Sequence, residues 1–387
     1  MELFAERLKK LPPYLFIEID KKKKKLIDSG VDVINLGVGD PDLPTPEHIV
    51  KSAQNALIKS EFHHYPFGAG TQEFRESVVY WYSKRFNVKL DYKTEVYALI
   101  GSKEGIGHLP LALVNPGDYV LIPDPGYPVY KSSTIFAGGN IYQLPLTEKN
   151  NFIPDLDTVP KYILNKTKLL FLNYPNNPTT AVVTEDFFIK VVEFAKKYNI
   201  VVAHDAAYSE IYFTENAPIS FLSVPGAKDI GVEFHSVSKT YNMTGWRLGW
   251  ICGNPEIIQA LGTVKDNYDS GVFTVIQQAG ITALTDSQEC VAKTRKIFKK
   301  RRDIFCERLI KLGWKLKIPD ATFYVWANCP DGYSSTQCVE KLVENAGIIA
   351  TPGVGMGQYG EGYVRFALTT TEDRLVEATE RIAKIKW

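Results

Sequence analysis

The sequence predicts an α/β chain, with a mainly parallel sheet covered by helices and then a smaller α+β region. Two observations carry this prediction. Short apolar runs alternate with longer amphipathic ones through the middle of the chain, and near Val291 that alternation gives way to a long basic amphipathic stretch followed by strand-like segments. In the first part, Tyr119-Val120-Leu121-Ile122, Leu169-Leu170-Phe171-Leu172, Ile200-Val201-Val202-Ala203 and Val232-Glu233-Phe234-His235 read as sheet strands, with a helix over 187–198. Ligands of such sheets sit beyond the carboxyl ends of the strands. Here those ends lead to Asn173-Tyr174-Pro175-Asn176-Asn177-Pro178, to Asp205, and to Ser236-Val237-Ser238-Lys239. After Val291 a helix is expected first, then strands over 322–327 and 363–368. No internal repeat or low-complexity linker is visible.

Composition excludes several function classes. A chain of 387 residues with 45% hydrophobic content can bury an extensive core and has the length of two domains, or three. A net charge of +1 argues against a nucleic-acid or anionic-membrane partner. The lysine run at 21–25, bracketed by Phe16-Ile17-Glu18-Ile19 and Leu26-Ile27, is expected on the wet side of a helix, with a targeting role as the alternative. No apolar run is long enough to span a bilayer and the first residues lack a signal-peptide pattern, so a cytoplasmic location is expected. Five cysteines without a Cys-x-x-Cys pair fit reduced thiols. The six histidines include His63-His64 but show no zinc-site spacing, so metal catalysis is not expected. Gly355-Met356-Gly357-Gln358-Tyr359-Gly360 satisfies Gly-x-Gly-x-x-Gly, but it precedes a strand and opens no helix, so it reads as a flexible turn.

The most constraining chemistry lies in Ser236-Val237-Ser238-Lys239 and in Arg247, eight residues beyond the lysine. An amine can condense with an aldehyde, while hydroxyls and a guanidinium hold a phosphate. Pyridoxal 5'-phosphate carries both groups. A lysine on a solvated loop beside a surface arginine would give the same local pattern. Asp205 ends an apolar strand, where a carboxylate either keeps a pyridine nitrogen protonated or caps the next helix. Gly101-Ser102-Lys103-Glu104 precedes a helix-like run whose N-terminus favours an anion, and Ser102 alone could be an N-cap. In Tyr363-Val364-Arg365-Phe366-Ala367-Leu368, alternation sends Arg365 to the face opposite Val364, Phe366 and Leu368.

Taken together, SVSKTYNMTGWRLG resembles the cofactor-lysine segment of the fold-type I, class I/II aminotransferases, and the similarity runs over essentially the whole chain. More narrowly, the segments at 101–130, NYPNNPT at 173–179 and EFHSVSKTYNMTGWRLGW at 233–250 resemble the LL-diaminopimelate aminotransferases. The resemblance implies a large domain at 45–290, with a seven-stranded sheet that binds pyridoxal phosphate, and a small domain made of 1–44 and 291–387. It implies Lys239 as the catalytic amine and Asp205 at the ring nitrogen. Tyr208 and Asn177 are implied at the ring's 3'-oxygen and Tyr127 stacked on the ring. Ser102, Lys103, Ser236, Ser238 and Arg247 are implied around the phosphate. Arg365 is implied at the substrate's α-carboxylate, with Gly39 and Asn177 assisting; Tyr14 and Lys103 are implied as further substrate contacts. Tyr65, in a segment that crosses a dimer interface in relatives, is implied at the neighbouring subunit's phosphate, with the segment 269–274 nearby. Many relatives carry asparagine where this chain has Ala206.

The function so implied is ping-pong transamination from LL-diaminopimelate to 2-oxoglutarate in lysine biosynthesis, giving tetrahydrodipicolinate, glutamate and water, in a homodimer. One departure bears on the substrate. Some members read the distal amino group with a glutamate in the interface loop, and residues 65–70 here contain no carboxylate. Aspartate, alanine and aromatic aminotransferases, a pyridoxal-phosphate carbon–sulfur lyase and a non-catalytic sensor of the same fold are the alternatives.

Overall fold

The computed structural model describes residues 3–13 and 15–387. Strand β1 (Ile34–Asn35) lies outside the main sheet, which the next seven strands build: β2 (Val96–Leu99), β3 (Tyr119–Asp124), β4 (Asn140–Pro145), β5 (Thr167–Asn173), β6 (Val201–Asp205), β7 (Gly231–Ser236) and β8 (Gly249–Gly253). Their order is β2-β8-β7-β6-β5-β3-β4, and only β8 runs against its neighbours. The four strands read from the sequence are β3, β5, β6 and β7, adjacent in space, which brings their carboxyl ends to one edge. Leu170, Phe171, Val202, Ala203, Val232 and Phe234 are buried whichever face they occupy, because helices cover both sides.

The helix Glu185–Tyr198 shows why these crossovers hold. Acidic Glu185 and Asp186 occupy its first turn, Lys196 and Lys197 its last, and Asn199 ends it in the left-handed conformation at φ 54°. Phe188, Val191, Val192 and Ala195 recur at helical spacing and face the sheet. Burying each large apolar side chain contributes roughly 1.5–3 kcal/mol. The lysine run lies in the helix Leu15–Asp28 and is largely exposed, as its pattern predicts.

Beyond the main sheet, β9 (Tyr324–Asn328), β11 (Thr351–Pro352) and β12 (Tyr363–Ala367) form an antiparallel sheet in the order β11-β12-β9, while β10 (Ile348–Ile349) pairs with β1. A separate apolar core, including Phe305, Val325, Val364, Phe366 and Leu375, lies beneath them. The long helix Glu289–Lys311 packs on that core through Phe305 and Leu309. A small cluster of Tyr208, Ile211, Phe298, Phe323, Tyr324 and Ala367 joins this part to the end of β6.

The Gly-x-Gly-x-x-Gly segment, expected as a flexible turn, does form turns ahead of β12, and a carboxylate organises them. It folds as two 3-10 turns, Gly353–Met356 and Gln358–Gly360. Asp124, at the end of β3, accepts from Gln358 N at 3.2 Å and Tyr359 N at 3.0 Å. Gly357 has φ 147°, and a Cβ there would meet Asp124 Oδ1 at 2.1 Å. The glycine serves this close approach of loop to carboxylate.

Candidate active site

A cavity of about 340 Å³ opens where the ends of β5, β6 and β7 meet the second sheet. Eleven of the expected site residues line it: Gly39, Ser102, Lys103, Tyr127, Asn177, Asp205, Tyr208, Ser236, Ser238, Lys239 and Arg247. Each arrives by a local route.

Ser236 ends β7 and caps the short helix Val237–Thr240, accepting from Ser238 N at 3.1 Å. That turn carries Lys239, whose Nζ donates to the Gly39 carbonyl at 2.7 Å. The lysine is half-buried, not on a solvated loop. Desolvation lowers its pKa to about 8; nearby Asp40 opposes the shift, and Arg365 and Arg247 reinforce it. Near neutral pH most of the amine is still protonated, but the uncharged fraction rises to about a tenth, far above that of an ordinary lysine.

Asp205 is buried at the end of β6. Tyr130 Oη donates to its Oδ2 at 2.8 Å and Ala207 N to its Oδ1 at 3.3 Å. Both donors are neutral. Burial raises its pKa, and the Tyr130 hydrogen bond only partly offsets this. No helix follows Asp205, so the capping alternative falls away. Asn173, at the end of β5, donates from Nδ2 to the Asp205 carbonyl at 2.8 Å and accepts from Asn177 N at 2.8 Å. This aligns the two strand ends.

Gly101 caps the helix Ser102–Leu113 with φ 74°, leaving Ser102 as the first helical residue and not the cap. A Cβ on Gly101 would lie 2.2 Å from Arg247 Nη2, and one on Gly249 would lie 2.7 Å from Ser102 N. Glycine at both positions lets a guanidinium and β8 close on a helix N-terminus. Arg247 Nη1 is steadied by the Thr244 carbonyl at 2.8 Å. Tyr127 precedes the helix Pro128–Phe136, with its ring edge-on to Tyr130 at 5.9 Å.

Arg365 is fully buried in β12, the middle strand of its sheet, and is not a solvated edge arginine. It stands beside the cavity and is not part of its lining. Its Nη1 donates to Asn177 Oδ1 at 2.8 Å, and its Nη2 to the Gly37 carbonyl at 2.7 Å and to Thr351 Oγ1 at 3.2 Å. Tyr65 does not reach the cavity. It is 74% exposed and stacked on Phe67, which is 77% exposed, with centroids 5.5 Å apart. Gly271 packs against the Pro66 carbonyl, so the segments around 66 and 271 are neighbours. The expectation for Tyr14 lies outside the described residues.

The sequence reading passed over Asn173, Tyr130 and Tyr324. Asn173 follows an apolar strand directly, which was an available signal; Tyr130, between Val129 and Lys131, and Tyr324, between Phe323 and Val325, gave none.

The residues fit pyridoxal phosphate at its three functional points. A poised amine suits the aldehyde, a buried carboxylate served by neutral donors suits a protonated ring nitrogen, and a helix N-terminus with serines and an arginine suits the phosphate. Among the described residues, one grouping has metal-ligand side chains, Glu104, His108 and Asp269. The Lys265 ammonium already supplies its cation, 2.9 Å from Glu104 and 3.0 Å from Asp269.

Residues 31–382 match the family model of class I and II aminotransferases. The chain is 55% identical over 383 residues to an LL-diaminopimelate aminotransferase of Aquifex aeolicus, covering 99% of both chains. It is 54% identical to an LL-diaminopimelate aminotransferase of Syntrophobacter fumaroxidans, again over 99% of both. Among solved structures, substrate-bound BacF from Bacillus subtilis superposes with a TM-score of 0.96 at 39% identity, covering 99% of this chain and 98% of that one. The chain belongs to the class I and II aminotransferases, enzymes that work with pyridoxal 5'-phosphate.

Proposed function

We propose that this chain transfers an amino group from LL-diaminopimelate to 2-oxoglutarate, in two half-reactions at one site. The product of the first cyclises to tetrahydrodipicolinate with loss of water, and the second yields glutamate. One observation carries the reading: a lysine amine with its pKa lowered to about 8 shares a cavity with the buried Asp205 carboxylate, in a chain 55% identical over nearly its whole length to an LL-diaminopimelate aminotransferase.

Pyridoxal phosphate, when bound, supplies an aldehyde that captures the amino group and a ring that draws electrons from the substrate's α-carbon. The chain's own residues do the rest. Ser102, Ser236, Ser238, Arg247 and the start of the helix Ser102–Leu113 hold the phosphate. Asp205 keeps the ring nitrogen protonated, Tyr208 and Asn177 address the ring oxygen, and Tyr127 covers the ring face. Arg365, with the Gly39 backbone and Asn177, grips the substrate's α-carboxylate and so orients the α C–H bond. Lys239 Nζ, whose lowered pKa leaves an uncharged fraction near neutral pH, accepts the α-proton and later gives a proton back, acting as base and then acid.

A second cavity, of about 1350 Å³, shares Lys103, Tyr127 and Arg247 with the first and is also bordered by Arg7, Glu18 and Lys131. Its size and mixed charges suit the distal ammonium and carboxylate of a long diamino acid. Exposed Tyr65 and Phe67 suit burial against a second copy, so the working unit is a two-fold dimer. As the biosynthetic enzyme proposed here, the chain works in the cytoplasm; separately, among the described residues no helix is long and apolar enough to cross a membrane.

The test is a panel of single half-reactions. Loaded enzyme is mixed with LL-diaminopimelate, the meso isomer, aspartate or phenylalanine, and the cofactor's visible absorbance is followed. LL-diaminopimelate should react fastest. A faster reaction with aspartate or phenylalanine would reject the substrate while leaving amino transfer intact. Lys239→Ala should lose on the order of 10³-fold or more in turnover, since it removes a positioned acid–base group and nucleophile.

A further inference from the structure

Tyr324, the first residue of β9, is 3% exposed and touches three groups of the site. Its Oη lies 3.1 Å from Tyr208 Oη. The Arg365 guanidinium carbon lies 4.3 Å from its ring centroid. A Cβ on Gly39 would sit 1.9 Å from its Oη, so the hydroxyl packs directly on the residue whose carbonyl receives Lys239. Register explains the arrangement. Tyr324 pairs with Ala367 and Trp326 with Arg365 across β9 and β12, which makes Tyr324 and Arg365 diagonal neighbours on one face.

We propose that Tyr324 is a positioning residue that joins Arg365 to Tyr208, so that the substrate's carboxylate and the cofactor's ring oxygen are addressed from one rigid unit. The proposal rests on the roles given above to Arg365 and Tyr208. An aromatic face orients a guanidinium without consuming any of its N–H donors, leaving them for oxygen acceptors. A phenol has one proton to give. With Tyr324 donating into the Tyr208 oxygen, the Tyr208 proton is directed at the ring oxygen, and each bond strengthens the other.

The test uses cofactor-loaded enzyme and pimelate, an unreactive dicarboxylate, as the probe. Tyr324→Phe keeps the ring under Arg365 and removes only the hydroxyl. The pH midpoint of the cofactor's visible band should rise by about 0.5 unit, because Tyr208 becomes a weaker donor to the ionised ring oxygen. Its pimelate Kd should stay within about two-fold of wild type, since the cation–aromatic contact remains. Tyr324→Leu removes the ring and should raise the pimelate Kd by about five-fold or more. Arg365→Lys serves as the control and should weaken pimelate by about ten-fold or more, because the bidentate fork is lost. A wild-type midpoint in the Phe variant, or a wild-type Kd in the Leu variant, overturns the proposal while Arg365→Lys still weakens binding. Wild-type pimelate binding by Arg365→Lys instead rejects the carboxylate role of Arg365, and the proposal with it. Thermal melts check that each variant is folded; should the Leu variant not fold, the midpoint of the Phe variant decides.

Discussion

Glu233 in β7 and Asp205 in β6 are buried carboxylates on neighbouring strands, and the protein treats them in opposite ways. Glu233 accepts from five groups. Tyr82 Oη, Ser220 Oγ and His235 Nε2 reach its Oε1 at 2.8, 2.8 and 2.9 Å, while Phe221 N and His204 Nδ1 reach its Oε2 at 2.7 and 2.8 Å. Burial alone would raise its pKa, but the bonds from His204 and His235 overcome it and hold the carboxyl well below the usual range. Asp205 has two neutral donors and a raised pKa. A saturated carboxylate has finished its work inside the protein. An under-served one, opening on a cavity, is the one available to a cationic ligand.

The largest expected effects on this contrast are on turnover. Asp205→Asn should cost roughly 10²- to 10³-fold, the scale of one preorganised electrostatic group, while folded Glu233→Gln should stay within about ten-fold of wild type. Steady-state rates at equal folded concentration check this; equal losses would erase the distinction. Stability of the cofactor-free protein should show the reverse order. Glu233→Gln breaks a buried, fully bonded network and should cost about 3 kcal/mol or more, whereas Asp205→Asn removes a buried charge with no cationic partner and should be neutral or slightly stabilising. Urea titrations at neutral pH would measure both.

A smaller effect lies in the pH dependence. The Glu233 carboxyl sits below its ordinary value of 4.5 in the folded state, so its stabilisation is present above 4.5 and is lost as pH falls below it. The Asp205 carboxyl sits above its ordinary value of 3.8, so the cofactor-free protein loses stability as pH rises from 3.8 through the folded value. Urea midpoints across this acid range should lose the first slope in Glu233→Gln and the second in Asp205→Asn. The Lys239 contribution acts at alkaline pH. With its pKa lowered from 10.5 to about 8, the unfolded chain binds more protons between those values, so stability of the cofactor-free protein rises with pH across that window. Lys239→Met should flatten the rise.

Much of this was legible in the sequence. The β3, β5 and β6 runs are short apolar stretches and β7 alternates apolar with polar residues, with helical spacing between strands, and such periodicity is a local property. Asp205 and Ser236 were readable because each stands within two residues of the end of one of those runs, and Lys239 because it follows in the same Ser-Val-Ser-Lys segment. Less was legible where the chemistry depends on pairs. The acid half of the contrast, Glu233, reads as an interruption of a strand, and nothing nearby announces Tyr82, 151 residues away, as its donor. The double 3-10 turn at Gly353–Met356 and Gln358–Gly360 was read as a flexible turn because Asp124, which organises it, lies more than 230 residues earlier.

The sequence by itself determined which segments become strands and helices and which polar residues stand at the strand ends, because both follow from side-chain order within a few residues. Only the tertiary structure decided that Arg365 would be buried against Asn177, 188 residues away, that Tyr324 would lie between Arg365 and Tyr208, and that Asp205 would be left short of donors while Glu233 was saturated. Those outcomes depend on strand order and register between two sheets. Contacts across such separations leave no periodic trace in the chain that makes them.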